Sequence, residues 1–187
     1  LRDLGTGDIP KEVKFVEYTV RNYFKNVPAP RGIHVETRSD FSCRVGCGSS
    51  SAIVVAMLGA LVKLFPVSID EKGLFNIAYR TVLDIQGNGS GYDVACALRG
   101  GTLYFAGNGT VIESLPIPAL PVVVGYTGVK ADTATLVESV ARKRKLYPQK
   151  VDRIFLAIQK LTDEMKDRLI TGDWERAGKC MDFNQEY

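Results

Sequence analysis

The stretch of this 187-residue chain with the clearest potential for chemistry runs from Gly46 to Ala52 and reads Gly-Cys-Gly-Ser-Ser-Ser-Ala. An apolar run from Ile53 to Phe65 follows directly, so the pattern predicts a helix over residues 49–64 with this segment at its N-terminus. The two glycines allow a tight turn and a close approach of a ligand to the backbone. The three serine hydroxyls and the first N–H groups of the helix are expected to face outward together. That combination is typical of an anion site, and phosphate is the anion it favours most.

Two common phosphate loops fit this segment poorly. A P-loop requires a lysine directly after its last glycine, whereas the first lysine after this segment is Lys63. A dinucleotide loop requires glycine or alanine where Ser51 stands, and its acidic residue about 20 positions later would be Asp70. Residues 68–71 instead have the pattern of a capping box that opens another helix. A purely structural helix start capped by Ser49 remains open.

The segment resembles the signature of the GHMP kinases, Gly-Leu-Gly-Ser-Ser-Ala/Ser, with Cys47 in the leucine position. Residues 87–93, Gly-Asn-Gly-Ser-Gly-Tyr-Asp, look like the family's Gly-x-x-Ser-Gly-x-Asp segment. Residues 125–133, Gly-Tyr-Thr-Gly-Val-Lys-Ala-Asp-Thr, are similar to the strand and loop that open the second domain in the mevalonate branch. Three motifs in the family's order extend the resemblance over nearly the whole chain, and the third favours the mevalonate kinase and phosphomevalonate kinase branch.

This resemblance implies an ATP site with Mg²⁺ and assigns roles within it. The implied ATP-binding residues are Gly46, Cys47, Gly48, Ser49, Ser50, Ser51 and Ser90. Ser50 matches the serine whose hydroxyl reaches the metal of Mg·ATP, and Ser49 would contact phosphate oxygens. Asp93 matches the catalytic aspartate that faces the acceptor hydroxyl and takes or orients its proton. Residues 90–93 also form a capping-box pattern for the next helix, and both interpretations can hold at once.

The sequence departs from the family pattern at several positions. Mevalonate kinases have a magnesium-binding glutamate eleven residues before the aspartate, and Val82 stands there. Either Asp84 replaces it after a local shift, or phosphates, Ser50 and water hold the metal. Upstream, Arg44 replaces a glycine. The family's N-terminal and C-terminal motifs have no match, so we expect a fragment or a chain with missing ends.

The function that the resemblance implies is transfer of the γ-phosphoryl group of ATP to mevalonate or a related acceptor. Phosphomevalonate or a sugar (or sugar phosphate) is an alternative acceptor within the same superfamily. A catalytically incomplete fragment that acts only as a binding module is the alternative from a different class. The expected partner is a small-molecule substrate, and a homodimer is left open.

Composition agrees with an ordinary globular protein, with 45% apolar and 24% charged residues and a formal net charge of +3. The basic run at residues 142–145 is interpreted as a solvated helix end, so nucleic-acid binding is not expected. The apolar run over residues 52–65 contains Lys63 and is too short to cross a membrane. The four cysteines lack zinc spacing, and reduced thiols in a cytoplasmic protein fit them best.

Apolar periodicity predicts the elements that must position these residues. Helices are predicted at residues 9–26, 49–64, 70–83, 93–98, 133–144, 151–170 and 174–183, the last one capped by Asp173. Strands are predicted at residues 32–38, 102–105, 110–115 and 122–126, with the second and third forming a hairpin and His34 on the polar face of the first. The fold class is therefore α+β. The resemblance implies an N-terminal domain similar to domain 2 of ribosomal protein S5 over residues 1–117. Proline residues 116, 118 and 121 mark the boundary, and residues 118–187 would begin a ferredoxin-like GHMP C-terminal domain.

Overall fold

The computed structural model describes residues 13–25, 27–28, 32–40, 46–117, 119–129 and 133–187, which fall into two compact units, Leu1–Glu113 and Ser114–Tyr187. The described residues are mostly helical and include one small antiparallel sheet of two strands. The helices are α1 (Lys14–Tyr23), α2 (Ser49–Leu64), α3 (Glu71–Gln86), α4 (Tyr92–Arg99), α5 (Thr133–Leu146), α6 (Pro148–Thr171) and α7 (Trp174–Gln185). The strands are β1 (Thr102–Ala106) and β2 (Val111–Leu115), joined through a short 3₁₀ turn at Gly107–Gly109.

Helix α2 lies at the centre of the first unit and packs against α1, α3 and α4. Val54, Leu58 and Leu61 recur at helical spacing and are buried, so they form the stripe that joins the common core. The sequence of this helix is apolar almost all round and predicts burial on every side. That expectation is wrong for the opposite face, where Ala56 and Gly59 are exposed.

Helix α4 is fixed at both its core face and its C-terminal end. Val94 and Ala95 are buried in the cluster that α2 and α3 also enter. At the end of the helix, the guanidinium of Arg99 pairs with Glu71 in the first turn of α3 and donates to the carbonyl oxygen of Ile112 in β2. These contacts hold α4 against both the preceding helix and the hairpin.

Most of the predicted helices are confirmed, with ends that differ by a few residues. The start of α3 differs from the capping box expected over residues 68–71, because Asp70 rather than Ser68 precedes the helix and its Oδ1 accepts from the N–H of Gly73 at 2.8 Å. Asp173 caps α7 as predicted and accepts from the N–H of Arg176 at 3.3 Å. Residues 9–12 and 26 of the first predicted helix lie outside the described residues.

Two of the four predicted strands are wrong. Burial alternates along residues 32–38 as predicted, since Ile33 and Val35 are partly buried against the core and His34 is exposed. Among the described residues, however, this segment forms no backbone hydrogen-bond ladder with another strand. Residues 122–126 are exposed and form no strand, and Val123 is fully exposed. Alternation and apolar runs indicate which side chains are buried, whereas a strand also requires a second strand to exchange backbone hydrogen bonds with it. Among the described residues, only β1 and β2 pair in this way.

The second unit is built on α6, which packs against α5 and α7, with Ala177 and Cys180 of α7 buried. The basic run falls in the last turns of α5 and is exposed, as predicted for a solvated helix end. Arg144 from this run pairs with Asp152 at 2.7 Å and lies over the ring of Phe155. Within the described residues, no helix has the length and apolar character that crossing a membrane demands.

A polar network joins α1 to α3 in the core of the first unit. Asn22 is 8% exposed, and its side-chain amide donates to Thr81 Oγ1 at 3.0 Å and to Asp84 Oδ2 at 3.1 Å. The other carboxylate oxygen of Asp84 pairs with Arg80 at 2.7 Å. Because both amide hydrogens of Asn22 have acceptors, burying this side chain costs little, whereas deleting it would leave its partners short of a donor.

We therefore expect Asn22→Ala to lower the free energy of unfolding by about 1–3 kcal/mol. The matched control is Asn76→Ala on the exposed side of α3, which gains the same helix propensity and should stay within about 0.5 kcal/mol of the parent. Urea unfolding of the three proteins measures the difference. Equal stability of the two variants would contradict the structural role assigned to Asn22.

Candidate functional site

The segment before α2 forms a tight turn with glycine at the positions that require it. Gly46 and Gly48 have φ angles of 76° and 66°, in the left-handed region that glycine adopts without strain. Gly48 is the N-cap of α2, and its carbonyl accepts the first helical hydrogen bond, from the N–H of Ala52 at 3.0 Å. The interpretation in which Ser49 caps the helix is therefore wrong, because Ser49 is already the first helical residue.

A glycine N-cap leaves the first turn of α2 without a capping side chain from that position. The N–H groups of Ser49, Ser50 and Ser51 have no acceptor inside the helix, and the positive end of the helix dipole adds to their field. These donors point out of the helix end, next to the exposed Gly46 and Cys47. The geometry is that of an anion cradle made from backbone groups.

The three serine hydroxyls do not all face outward as expected. Ser51 is 2% exposed because it lies on the same stripe of α2 as Val54 and Leu58. Ser49 and Ser50 are half-buried at the helix end. The prediction is therefore wrong for the hydroxyl of Ser51, whose place on the helix directs it to the core, and the two preceding hydroxyls remain at the edge of the cradle.

The second motif also starts its helix with a glycine. Gly91, with a φ of 89°, is the N-cap of α4, so the capping box expected from Ser90 to Asp93 is not formed. Ser90 is exposed in the preceding loop, and Asp93 is the second residue of α4, where it is half-buried. A carboxylate in the first turn of a helix is favoured by the helix dipole.

The structure brings these two helix starts together. A β-carbon added at Gly48 would lie 3.8 Å from the Cβ of Asp93 and 3.9 Å from its Cγ, which is ordinary van der Waals contact. The packing of α2 against α4 produces this approach. The first turn of α2 and the carboxylate of Asp93 are therefore neighbours, as a phosphate site facing a catalytic aspartate requires.

The carboxylate of Asp93 influences two neighbouring groups that the sequence did not single out. Its charge, followed by partial burial and a hydrogen bond to the same carboxylate, raises the pKa of the Tyr92 hydroxyl above its usual range. Partial desolvation and then the charge of Asp93 raise the pKa of the Cys96 thiol. Helical spacing of three residues is the sequence signal that places Cys96 beside Asp93, whereas no helical spacing rule predicts the approach of the adjacent Tyr92.

Neither candidate on α3 supplies a carboxylate that is available for a metal. Val82 is buried in the core, and Asp84 is engaged by Asn22 and Arg80. Arg44 lies outside the described residues. Across the part of the chain that is described, no group of three or more His, Cys, Asp or Glu side chains is arranged to hold a metal ion.

Residues 13–101, which contain both helix starts, match the family described as GHMP kinases N terminal domain. Residues 13–101 of this chain are therefore a GHMP kinase N-terminal domain. The mevalonate kinase of Thermococcus gammatolerans is 33% identical over 159 residues, which cover 82% of this chain and 47% of that protein. The mevalonate kinase of Thermococcus sibiricus is 27% identical over 183 residues, covering 95% of this chain and 54% of that protein. The chain thus spans about half the length of the curated relatives it matches.

A solved structure shares the fold of this chain. The crystal structure of a Lin0012 protein from Listeria innocua superposes with a TM-score of 0.73 at 21% sequence identity. The match covers 96% of this chain and 59% of the Listeria chain. At this identity the likeness concerns the fold.

The electrostatic coupling around Asp93 gives a test that needs no activity. Asp93→Asn removes the negative charge that disfavours the thiolate of Cys96, so we expect the pKa of this thiol to fall. The rate of alkylation of Cys96, followed by peptide mass spectrometry across pH, measures the change. Asp70→Asn is the control, since Asn caps helices as well as Asp does. An unchanged profile for Asp93→Asn would contradict the placement of Asp93 beside Cys96.

Proposed function

We propose that this chain provides the nucleotide-binding and catalytic residues of an ATP-dependent GHMP-type kinase that phosphorylates mevalonate or a related small-molecule acceptor. The observation that carries the proposal is the close approach of Asp93, in the first turn of α4, to the β-carbon position of Gly48, at the uncapped start of α2. Phosphoryl transfer needs bound phosphates and an acceptor held in line with them, and this close approach supports an assignment of the two roles to these two helix starts.

The phosphate end of the proposed site is the first turn of α2. The N–H groups from Gly46 to Ser51 would cradle the phosphates of ATP, with Cys47 and Ser49 at its edge and Ser90 contributing from the facing loop. Family membership implies ATP as the donor. The hydroxyl of Ser50 is the group in this turn that fits a ligand of Mg²⁺, which would neutralise the charge on the phosphates when bound.

The acceptor end of the proposed site is Asp93. Its carboxylate accepts the proton of the acceptor hydroxyl while the acceptor oxygen bonds to the γ-phosphorus and the bond from this phosphorus to the bridging oxygen of ADP breaks. Partial burial beside α2 keeps this carboxylate close to the transferring group and limits its contact with water.

The names of the relatives favour mevalonate as the acceptor, because eight archaeal proteins that are similar to this chain are called mevalonate kinase. Phosphomevalonate and sugars are the other acceptors to assay.

We also propose that residues 1–117 correspond to the domain similar to ribosomal protein S5 and residues 118–187 to the start of the ferredoxin-like domain. We also propose a cytoplasmic location, which the cysteines favour because they fit reduced thiols best.

Ser50→Ala should weaken binding of a non-hydrolysable ATP analogue about tenfold when Mg²⁺ is present, since the variant loses one charge-assisted contact. Without Mg²⁺, the parent and the variant should bind alike. Calorimetric titration of the intact protein measures both affinities, and Ser68→Ala, an exposed serine before α3, is the control. A Ser50→Ala protein that binds Mg·ATP as tightly as the parent would remove Ser50 from the metal site.

Asp93→Asn should reduce kcat by about 10²–10⁴-fold while the affinity for the ATP analogue stays within about twofold, because the variant loses only the proton acceptor. Steady-state assays with mevalonate, phosphomevalonate and galactose identify the acceptor and measure the loss. Asp70→Asn, which keeps a capping side chain on α3, should retain the parent's kcat. Retained turnover in Asp93→Asn would exclude the proposed role.

A further inference from the structure

We propose that Tyr79 is a positioning residue that holds the glycine-rich loop before α4 and so sets the place of Asp93. The inference rests on the proposed function, because it assumes that Asp93 acts on the acceptor. It concerns the loop Gly87–Gly91, which precedes the aspartate and has glycine at three of its five positions. Glycine has no side chain that could make contacts, so the conformation of such a loop depends on groups outside it.

Tyr79 contacts this loop at two points. Its hydroxyl donates to the carbonyl oxygen of Gly89 at 2.7 Å. Its ring lies against Gly91, where an added β-carbon would approach Cδ2 and Cε2 of Tyr79 at 3.0 and 3.1 Å, closer than side chains normally allow. The ring and the hydroxyl therefore fix both the middle of the loop and the N-cap of α4.

Tyr79 is itself held by the core. Its ring stacks on Phe75, with a centroid separation of 5.6 Å and an interplanar angle of 29°. Phe75 is 4% exposed and belongs to the core cluster of the first unit. The same Phe75 ring also lies near Gly91, with Cζ at 3.2 Å from the β-carbon position. A continuous line of contacts thus leads from the packed core through two aromatic rings to the loop.

A displacement of this loop would also displace Asp93, because the loop ends two residues before it. Gly91 starts α4, and Asp93 is the second residue of the helix, in contact with the position of Gly48. A displacement of a catalytic group by about 1 Å can cost on the order of 100-fold in rate. Loss of the hydrogen bond to Gly89 should therefore lower kcat more than it weakens nucleotide binding, since most of the proposed phosphate cradle belongs to α2 and only Ser90 lies in this loop.

The test compares two tyrosines with the same kind of hydrogen bond. Tyr79→Phe removes a hydroxyl that donates to Gly89 at 2.7 Å, and Tyr23→Phe removes one that donates to the carbonyl oxygen of Phe65 at 2.6 Å. Tyr23 is 2% exposed and lies in the core between α1 and α2, so it reports the effect of losing such a bond on stability alone.

In the intact protein, we expect Tyr79→Phe to lower kcat about tenfold, with smaller changes in the KM for ATP and in the affinity for its analogue. Amide hydrogen exchange over residues 87–92 should become faster. Tyr23→Phe should lower the unfolding midpoint more than Tyr79→Phe does and keep the parent's kcat. Equal kcat values for Tyr79→Phe and the parent would overturn the inference, as would an equal loss in both variants.

A second pair of variants tests the ring contact independently of the hydroxyl. Gly91→Ala and Gly87→Ala both place a β-carbon at a positive φ, of 89° and 76°, so both carry backbone strain. The added carbon meets Tyr79 and Phe75 at Gly91 and has nothing within 4 Å at Gly87. We expect the greater loss of kcat in Gly91→Ala, and equal losses would contradict a role for the ring.

The result for Asp93→Asn separates failure of this inference from failure of the proposed function. If Asp93→Asn loses turnover while Tyr79→Phe matches the parent, the kinase stands and only the positioning role is excluded. If Asp93→Asn retains turnover, or the intact protein phosphorylates none of the acceptors, the proposed function fails and this inference fails with it.

Discussion

The close approach of Gly48 to Asp93 is the contact on which the rest of the candidate site depends. It requires that α2 and α4 start close to each other and that their buried faces share one core. Gly48 adopts the positive φ that the turn before α2 needs. The requirement for glycine at this position therefore comes from backbone conformation, since an added β-carbon would make only ordinary contact with Asp93.

The first turn of α2 buries one of its three serines and leaves the other two half-buried. Ser51 lies at the head of the buried stripe and anchors the turn in the core, whereas Ser49 and Ser50 stay at its edge. In the proposed site the backbone of these residues forms the anion cradle, so burial of Ser51 would fix the cradle without occupying it. Rigid placement of such donors is what makes electrostatic stabilisation effective, because they need not reorganise during the reaction.

The sequence was sufficient for the helices and the positions of the motifs, because these depend on local periodicity. It misassigned the helix caps at Ser49 and Ser90, where capping patterns favour a serine and the structure uses the glycine next to it. A glycine N-cap has no side chain that bonds to the first turn, so capping patterns in the sequence do not identify it. The strands expected at residues 32–38 and 122–126 failed for a different reason, since pairing depends on a distant partner that periodicity does not identify. The approach of Asp93 to the first turn of α2 is likewise non-local, and only the order of the family motifs pointed to it.

The hydrogen bond between Asp84 and Asn22 is also non-local. The two carboxylate oxygens of Asp84 are engaged by Asn22 and Arg80. A carboxylate that joins two helices in the core cannot move to a metal without leaving Asn22 short of an acceptor. Because Val82 has no ligand to offer, the metal of the proposed kinase would depend on phosphate oxygens, Ser50 and water. Mg²⁺ retains several waters readily, so such a site is chemically sound and its metal affinity should depend on the nucleotide.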